Sequence, residues 1–136
     1  MLRNKIFMLV TILIVLIGIV FAIIARTSYY YDIDVEPFDV SAYERCIGTF
    51  PFDMSVGSIN VGSVSDHKEL VLKVEEIWIS LYGKYILTER PYKLYYDEVN
   101  RVFLVTGTLP ENAVGGVANM LIEETSGNVL AVWHSR

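Results

Sequence analysis

Ile6 to Ala25 is a run of 20 residues with no charged side chain and a single polar one, Thr11. Wound as an α-helix at about 1.5 Å per residue, such a run spans roughly 30 Å, the hydrocarbon thickness of a bilayer. A core helix apolar on every face needs more protein around it than the rest of a 136-residue chain supplies. A cleaved signal peptide is the alternative, but its apolar region usually covers about 7–15 residues before a small-x-small site. Here the best such site is Val20-Phe21-Ala22, and cleavage there leaves Ile23-Ile24 as a greasy new N-terminus. No cysteine follows closely, which excludes a lipoprotein signal. Residues 1–25 therefore read as a short stub and a retained transmembrane anchor. Arg3 and Lys5 precede the run, whereas Arg26 is soon followed by Asp32, Asp34 and Glu36. The positive-inside rule places the N-terminus in the cytoplasm and the rest outside it, as a single-pass inner-membrane protein with a periplasmic or extracytoplasmic domain.

Charge divides at the same place. All 16 acidic residues lie between Asp32 and Glu124, and residues 27–136 hold only 8 of the 11 basic ones, a net charge of −8. This excludes a nucleic-acid binder, which needs Lys and Arg to replace phosphate counterions. It suits a partner with a basic surface. Cys46 is the only cysteine, so no intrachain disulfide forms and the domain is held by packing.

Residues 26–65 read as a tether that partly packs on the domain. Tyr29-Tyr30-Tyr31 suits an interfacial aromatic belt or ordinary packing, and Pro37, Gly48, Pro51, Gly57 and Gly62 interrupt any helical period. The domain proper is expected over 66–136. Asp66 with Glu69 has the form of a capping box. Leu70, Val71, Val74, Ile77, Trp78 and Leu81 then recur at helical spacing, with Lys68, Lys73, Glu75, Glu76 and Ser80 assigned mostly to the other face. Gly83 stops the helix. Strands are predicted near Tyr92–Tyr96, Arg101–Thr108, Val117–Glu124 and Val129–His134, with Ala118, Met120 and Ile122 inward and Asn119 and Glu123 outward. The fold class is α+β: one long helix on a curved antiparallel sheet of three to four strands, with Val74, Trp78 and Leu81 against Phe103, Val105, Met120 and Ile122.

Catalytic signals are lacking. His67 and His134 have no neighbouring Cys, no metal-ligand spacing occurs, and Gly115-Gly116 lacks the Lys and helix of a phosphate loop. Glu75-Glu76 and Glu123-Glu124 are adjacent pairs whose side chains diverge, and they read as solvated. No enzyme, cofactor or metal site is expected.

The C-terminal half contains Leu81-Tyr82-Gly83-Lys84 and Arg90-Pro91-Tyr92-Lys93. There follow Phe103-Leu104-Val105-Thr106-Gly107-Thr108-Leu109-Pro110, Gly115-Gly116-Val117, Ser126-Gly127-Asn128-Val129-Leu130 and His134-Ser135-Arg136. Over about Val64–Arg136 this resembles the bacterial immunity proteins with a nuclear transport factor two-like fold. Phe103 stands where that family has Trp, and Ser135-Arg136 where it has Gly-Lys. The resemblance implies a non-catalytic protein that binds and neutralises a toxin of a bacterial competition system. Physically, Gly107 permits a close approach, Pro110 ends a ladder and Gly115-Gly116 allows a sharp return, so these residues specify shape. The acidic residues at turns and strand ends, Asp97, Glu98, Glu111, Glu123 and Glu124, are the candidate contacts for a basic cognate toxin. The closing Ser-Gly-Asn-Val-Leu-Ala-Val also looks like the PepSY domains of membrane-anchored extracytoplasmic regulators. That resemblance leaves Gly-Thr-Leu-Pro and Gly-Gly unexplained. A small ligand-binding cup is a third reading, for which the sequence offers no polar pocket cluster.

Overall fold

The computed structural model describes residues 2–28, 33–51 and 54–136, in two compact units divided at Asp32/Ile33. Tyr29–Tyr31, and with them the predicted aromatic belt, lie outside the described residues. The first unit is helix α1, Leu2–Ser28, within which Lys5–Ile23 has a mean hydropathy of 3.3 and side chains exposed throughout. The hydroxyl of Thr11, its one polar side chain in the apolar run, donates to Phe7 C=O at 3.0 Å, so it presents no unmet hydrogen bond to an apolar surround.

In the second unit, α2 spans His67–Tyr82. Asp66 caps it by accepting from Lys68 N–H at 2.8 Å, while Glu69 pairs with Lys73 one turn on, at 2.9 Å. Gly83, at φ 86°, ends it. The sheet has five strands in sequence order: β1 (Val35–Pro37), β2 (Lys93–Asp97), β3 (Val102–Thr106), β4 (Ala118–Glu123) and β5 (Val129–His134). The pairs from β2 to β5 are antiparallel; β1 is parallel to β2. The expected antiparallel sheet of three to four strands is thus a mixed sheet of five. The difference comes from the connector, where Val35–Pro37 gains its backbone partners from β2, far along the chain.

Register gives the sheet two apolar faces. Leu94, Val105, Met120 and Val132 form one row across four strands, each 1% exposed or less, on the face that meets α2. The rings mark the contact: Trp78 lies edge-on to Tyr92 at 5.3 Å, His67 to Phe103 at 5.6 Å, and Tyr82 to His134 at 5.7 Å. Val74 and Trp78 are fully buried as expected, but Leu81 is only half-buried. Trp78 Nε1 has no hydrogen-bond partner. The next row, Tyr95, Leu104, Leu121 and Ala131, belongs to the opposite face. A 3-10 helix, Val40–Cys46, covers it, so that Val40 joins Leu104, Leu121 and Ala131 in one cluster with Phe38, Tyr43 and Trp133. Asn119, assigned outward from alternation, is buried on that covered face, where its Oδ1 accepts from Thr106 Oγ1 at 2.9 Å.

The connector also shields the outer edge of β5. Gly48 N–H donates to Leu130 C=O and Val132 N–H to Thr49 C=O, both at 2.8 Å. Further along, Val61 N–H donates to Gly127 C=O at 2.9 Å, and Asn60 pairs with Asn128. At the other edge Pro37 removes one donor from β1. Both edges are thereby blunted against pairing with another chain.

Candidate functional site

Register sorts the five acidic candidates by place. Val102 is paired with Asp97 on one side and Glu123 on the other, so Asp97, Glu98, Glu123 and Glu124 gather at the end of the sheet where the β2–β3 and β4–β5 hairpins turn. Glu111 lies in the β3–β4 loop, at the opposite end.

At the hairpin end the four carboxylates do different work. Asp97 is 4% exposed. It accepts from Val40 N–H at 2.9 Å, Asn100 N–H at 2.8 Å and Asn100 Nδ2 at 2.9 Å, joining the connector to the hairpin. These donors, Val40 N–H foremost, hold its carboxyl below the usual range. Glu124 accepts from Tyr96 OH at 2.7 Å and from Arg101 Nε at 2.8 Å, and both lower its carboxyl; in return it raises the Tyr96 hydroxyl and the Arg101 guanidinium. Glu123 accepts from Ser126 Oγ. Glu98 is exposed, beside Val99, which is 90% exposed.

Two adjoining hollows open here, of about 360 and 520 Å³, sharing Phe38, Asp97 and Val99. Glu36 and Glu98 line the first, and Asp39 and Asn100 the second. Apolar side chains ringed by carboxylates suit an apolar or aromatic side chain flanked by Lys or Arg.

At the opposite end the residues of the quoted motifs converge on Glu89, which reading the sequence missed. Glu89 closes a second 3-10 helix, Lys84–Glu89, and is 4% exposed. Its Oε2 accepts from Ala118 N–H at 2.8 Å, its Oε1 lies 2.9 Å from His134 Nε2, and its carbonyl accepts from Thr108 N–H at 2.8 Å. His134 Nδ1 sits 2.9 Å from Ser135 C=O, and Tyr82 and Tyr85 flank the ring. Burial first, then Tyr85 and Glu89, push the Tyr82 hydroxyl up to about 12. A Cβ on Gly107 would collide with the Glu89 carboxylate, and one on Gly116 with the Ser135 carbonyl. Gly107 of Gly-Thr-Leu-Pro and Gly116 of Gly-Gly are therefore required by close approach, Gly115 by its φ of 149°, and the terminal His by Glu89.

Glu75 corrects a second reading. It is buried, and forks onto Arg90 with Nε–Oε2 at 2.7 Å and Nη2–Oε1 at 2.5 Å; only Glu76 is solvated. The sequence held a signal for this, since Glu75 falls four residues after Val71 and three before Trp78, on the apolar stripe. Tyr92 beside it is raised by burial and by Glu75. Among the described residues no group of three His, Cys, Asp or Glu side chains is placed to hold a metal ion.

A small α+β domain with shape-setting glycines and buried carboxylates used as staples is the class these observations define. Residues 73–136 match the family model of the NTF2 fold immunity proteins, the family whose resemblance the motifs carry. The match begins within α2 and takes in β2 to β5; α1, β1 and the connector precede it. No curated protein and no solved structure matches the chain significantly.

Proposed function

We propose that this protein is a membrane-anchored immunity protein that binds and neutralises a toxin of a bacterial competition system without turnover. The family match over 73–136 is the observation that carries the proposal. α1 is the anchor, supported by the length and hydropathy of Lys5–Ile23, with Arg3 and Lys5 on the cytoplasmic side and residues 33–136 outside. The toxin's basic surface docks at the hairpin end. There Glu98 is the exposed charge, Val99 the apolar contact, and Asp97, Glu123 and Glu124 complete the negative field; Glu111 lies away from it. Such a field speeds association more than it deepens affinity. From this position the protein intercepts a toxin in the periplasm or at the membrane. The test is co-expression with the toxin encoded in the adjacent reading frame, kept in the cytoplasm or exported. Protection against the exported form alone is the expected result; equal protection in both compartments contradicts the topology, and none in either contradicts the function.

A further inference from the structure

We infer that the two hollows at the hairpin end are one docking groove, half of it built by the connector, and that Glu36 of the connector is a specificity-determining contact. The occupant is a segment of the toxin in which Lys or Arg flanks an apolar side chain, so the inference rests on the toxin-binding reading above. Three observations carry it. First, the groove is composite. Val35, Glu36 and Phe38 come from the connector, and Tyr96, Glu98 and Val99 from the β2–β3 hairpin. The halves are fastened together: Phe38 N–H donates to Tyr96 C=O at 3.4 Å, and Val40 N–H to the Asp97 carboxylate at 2.9 Å. Asp97, 4% exposed, also holds Asn100, so it is the joint of the groove and leaves recognition to its neighbours. A seat already fixed on both sides spares the partner the cost of ordering it.

Second, the lining has one sign of charge and part of it is unspent. Every charged side chain that lines the hollows is acidic: Glu36, Asp39, Asp97 and Glu98. Asp39 accepts from Ser41 N–H at 2.9 Å. Glu36 and Glu98 are exposed, with no hydrogen-bonding or ionic partner among the described residues. In the same lining Val99 is 90% exposed and Val35 36%, apolar surface that the fold does not use. An apolar residue meets this floor while its basic neighbours reach the two free carboxylates.

Third, the halves differ in their relation to the family. The match over 73–136 contains the hairpin but not Glu36. A toxin segment that fills the groove touches both halves, and the connector is the half that the matched domain does not supply.

A charge that only adds to the field alters association, whereas one desolvated in a groove alters dissociation. The experiment measures both rates for the toxin encoded in the adjacent reading frame, on the full chain in lipid nanodiscs. Glu36→Gln and Glu111→Gln remove the same charge, one at the groove and one in the β3–β4 loop at the opposite end. Val99→Ser and Val114→Ser make the same comparison for two valines that are 90% and 102% exposed. Dissociation about tenfold faster for Glu36→Gln and Val99→Ser is expected, with wild-type urea midpoints, against wild-type dissociation for the other two. Wild-type dissociation for Glu36→Gln overturns the inference while leaving the toxin-binding reading standing. Equal changes for Glu36→Gln and Glu111→Gln, confined to association, also overturn it, because charge then acts only at a distance. A wild-type chain that does not bind the toxin removes that reading and the inference with it.

Discussion

At the hairpin end of the sheet, Glu98 and Val99 face solvent over two hollows, and the carboxylates of Asp97 and Glu124 are satisfied by turn amides, a tyrosine hydroxyl and an exposed arginine. At the opposite end Glu89 is held by three segments of chain, and Gly107 against it leaves room for no side chain. Glu98 stands in solvent, whereas Asp97 at the same end and Glu89 at the other, each 4% exposed, are internal staples. Composition treats these acids alike; only their surroundings separate a charge left in solvent from one that holds strands together.

The largest effect expected from breaking this contrast is at Glu89. Glu89→Ala strands the Ala118 amide and the His134 ring, and should cost about 3–5 kcal/mol of unfolding free energy in a urea titration. A loss below about 1 kcal/mol would mean that the staple is ornamental. Next comes Gly107→Ala, which forces a methyl group against the Glu89 carboxylate and should cost about 1–3 kcal/mol. In a Glu89→Ala background the penalty should shrink, because the colliding group is gone; undiminished cost would place the strain elsewhere.

Acid should act at the hairpin end. Asp97 and Glu124 have folded values below their unfolded ones, so between the two the unfolded chain takes up protons that the folded chain refuses. Their stabilisation is complete above about pH 4, the ordinary carboxylate value, and is lost as pH falls through the folded values. The urea midpoint should therefore drop in acid, and drop less in Asp97→Asn. A drop just as steep in that variant would contradict the role given to Asp97.

These cases also show what the sequence could and could not reveal. α2 was legible because a cap, a period and a terminal glycine agree, and β3 because an apolar run on both faces demands a central strand. Gly107 was legible as shape but not as the wall of a carboxylate site, since Glu89 has no periodic or motif signal of its own. The connector was the least legible. Its 3-10 helix and its pairing with β5 come from backbone hydrogen bonds to residues far along the chain, which leave no local pattern. Two covered faces in place of one follow from the same cause.

The smallest effect on the fold, and the largest on function, is expected at Glu98. Glu98→Lys should change stability by no more than about 0.5 kcal/mol, as an exposed turn substitution. The most direct measurement is the association rate of the adjacent-frame toxin with this variant and with Val114→Asp, both in the full anchored chain. Docking of a basic surface at the hairpin end predicts slower association for Glu98→Lys, a difference that added salt reduces, and wild-type association for Val114→Asp. Wild-type association for Glu98→Lys with a loss confined to Val114→Asp would contradict it.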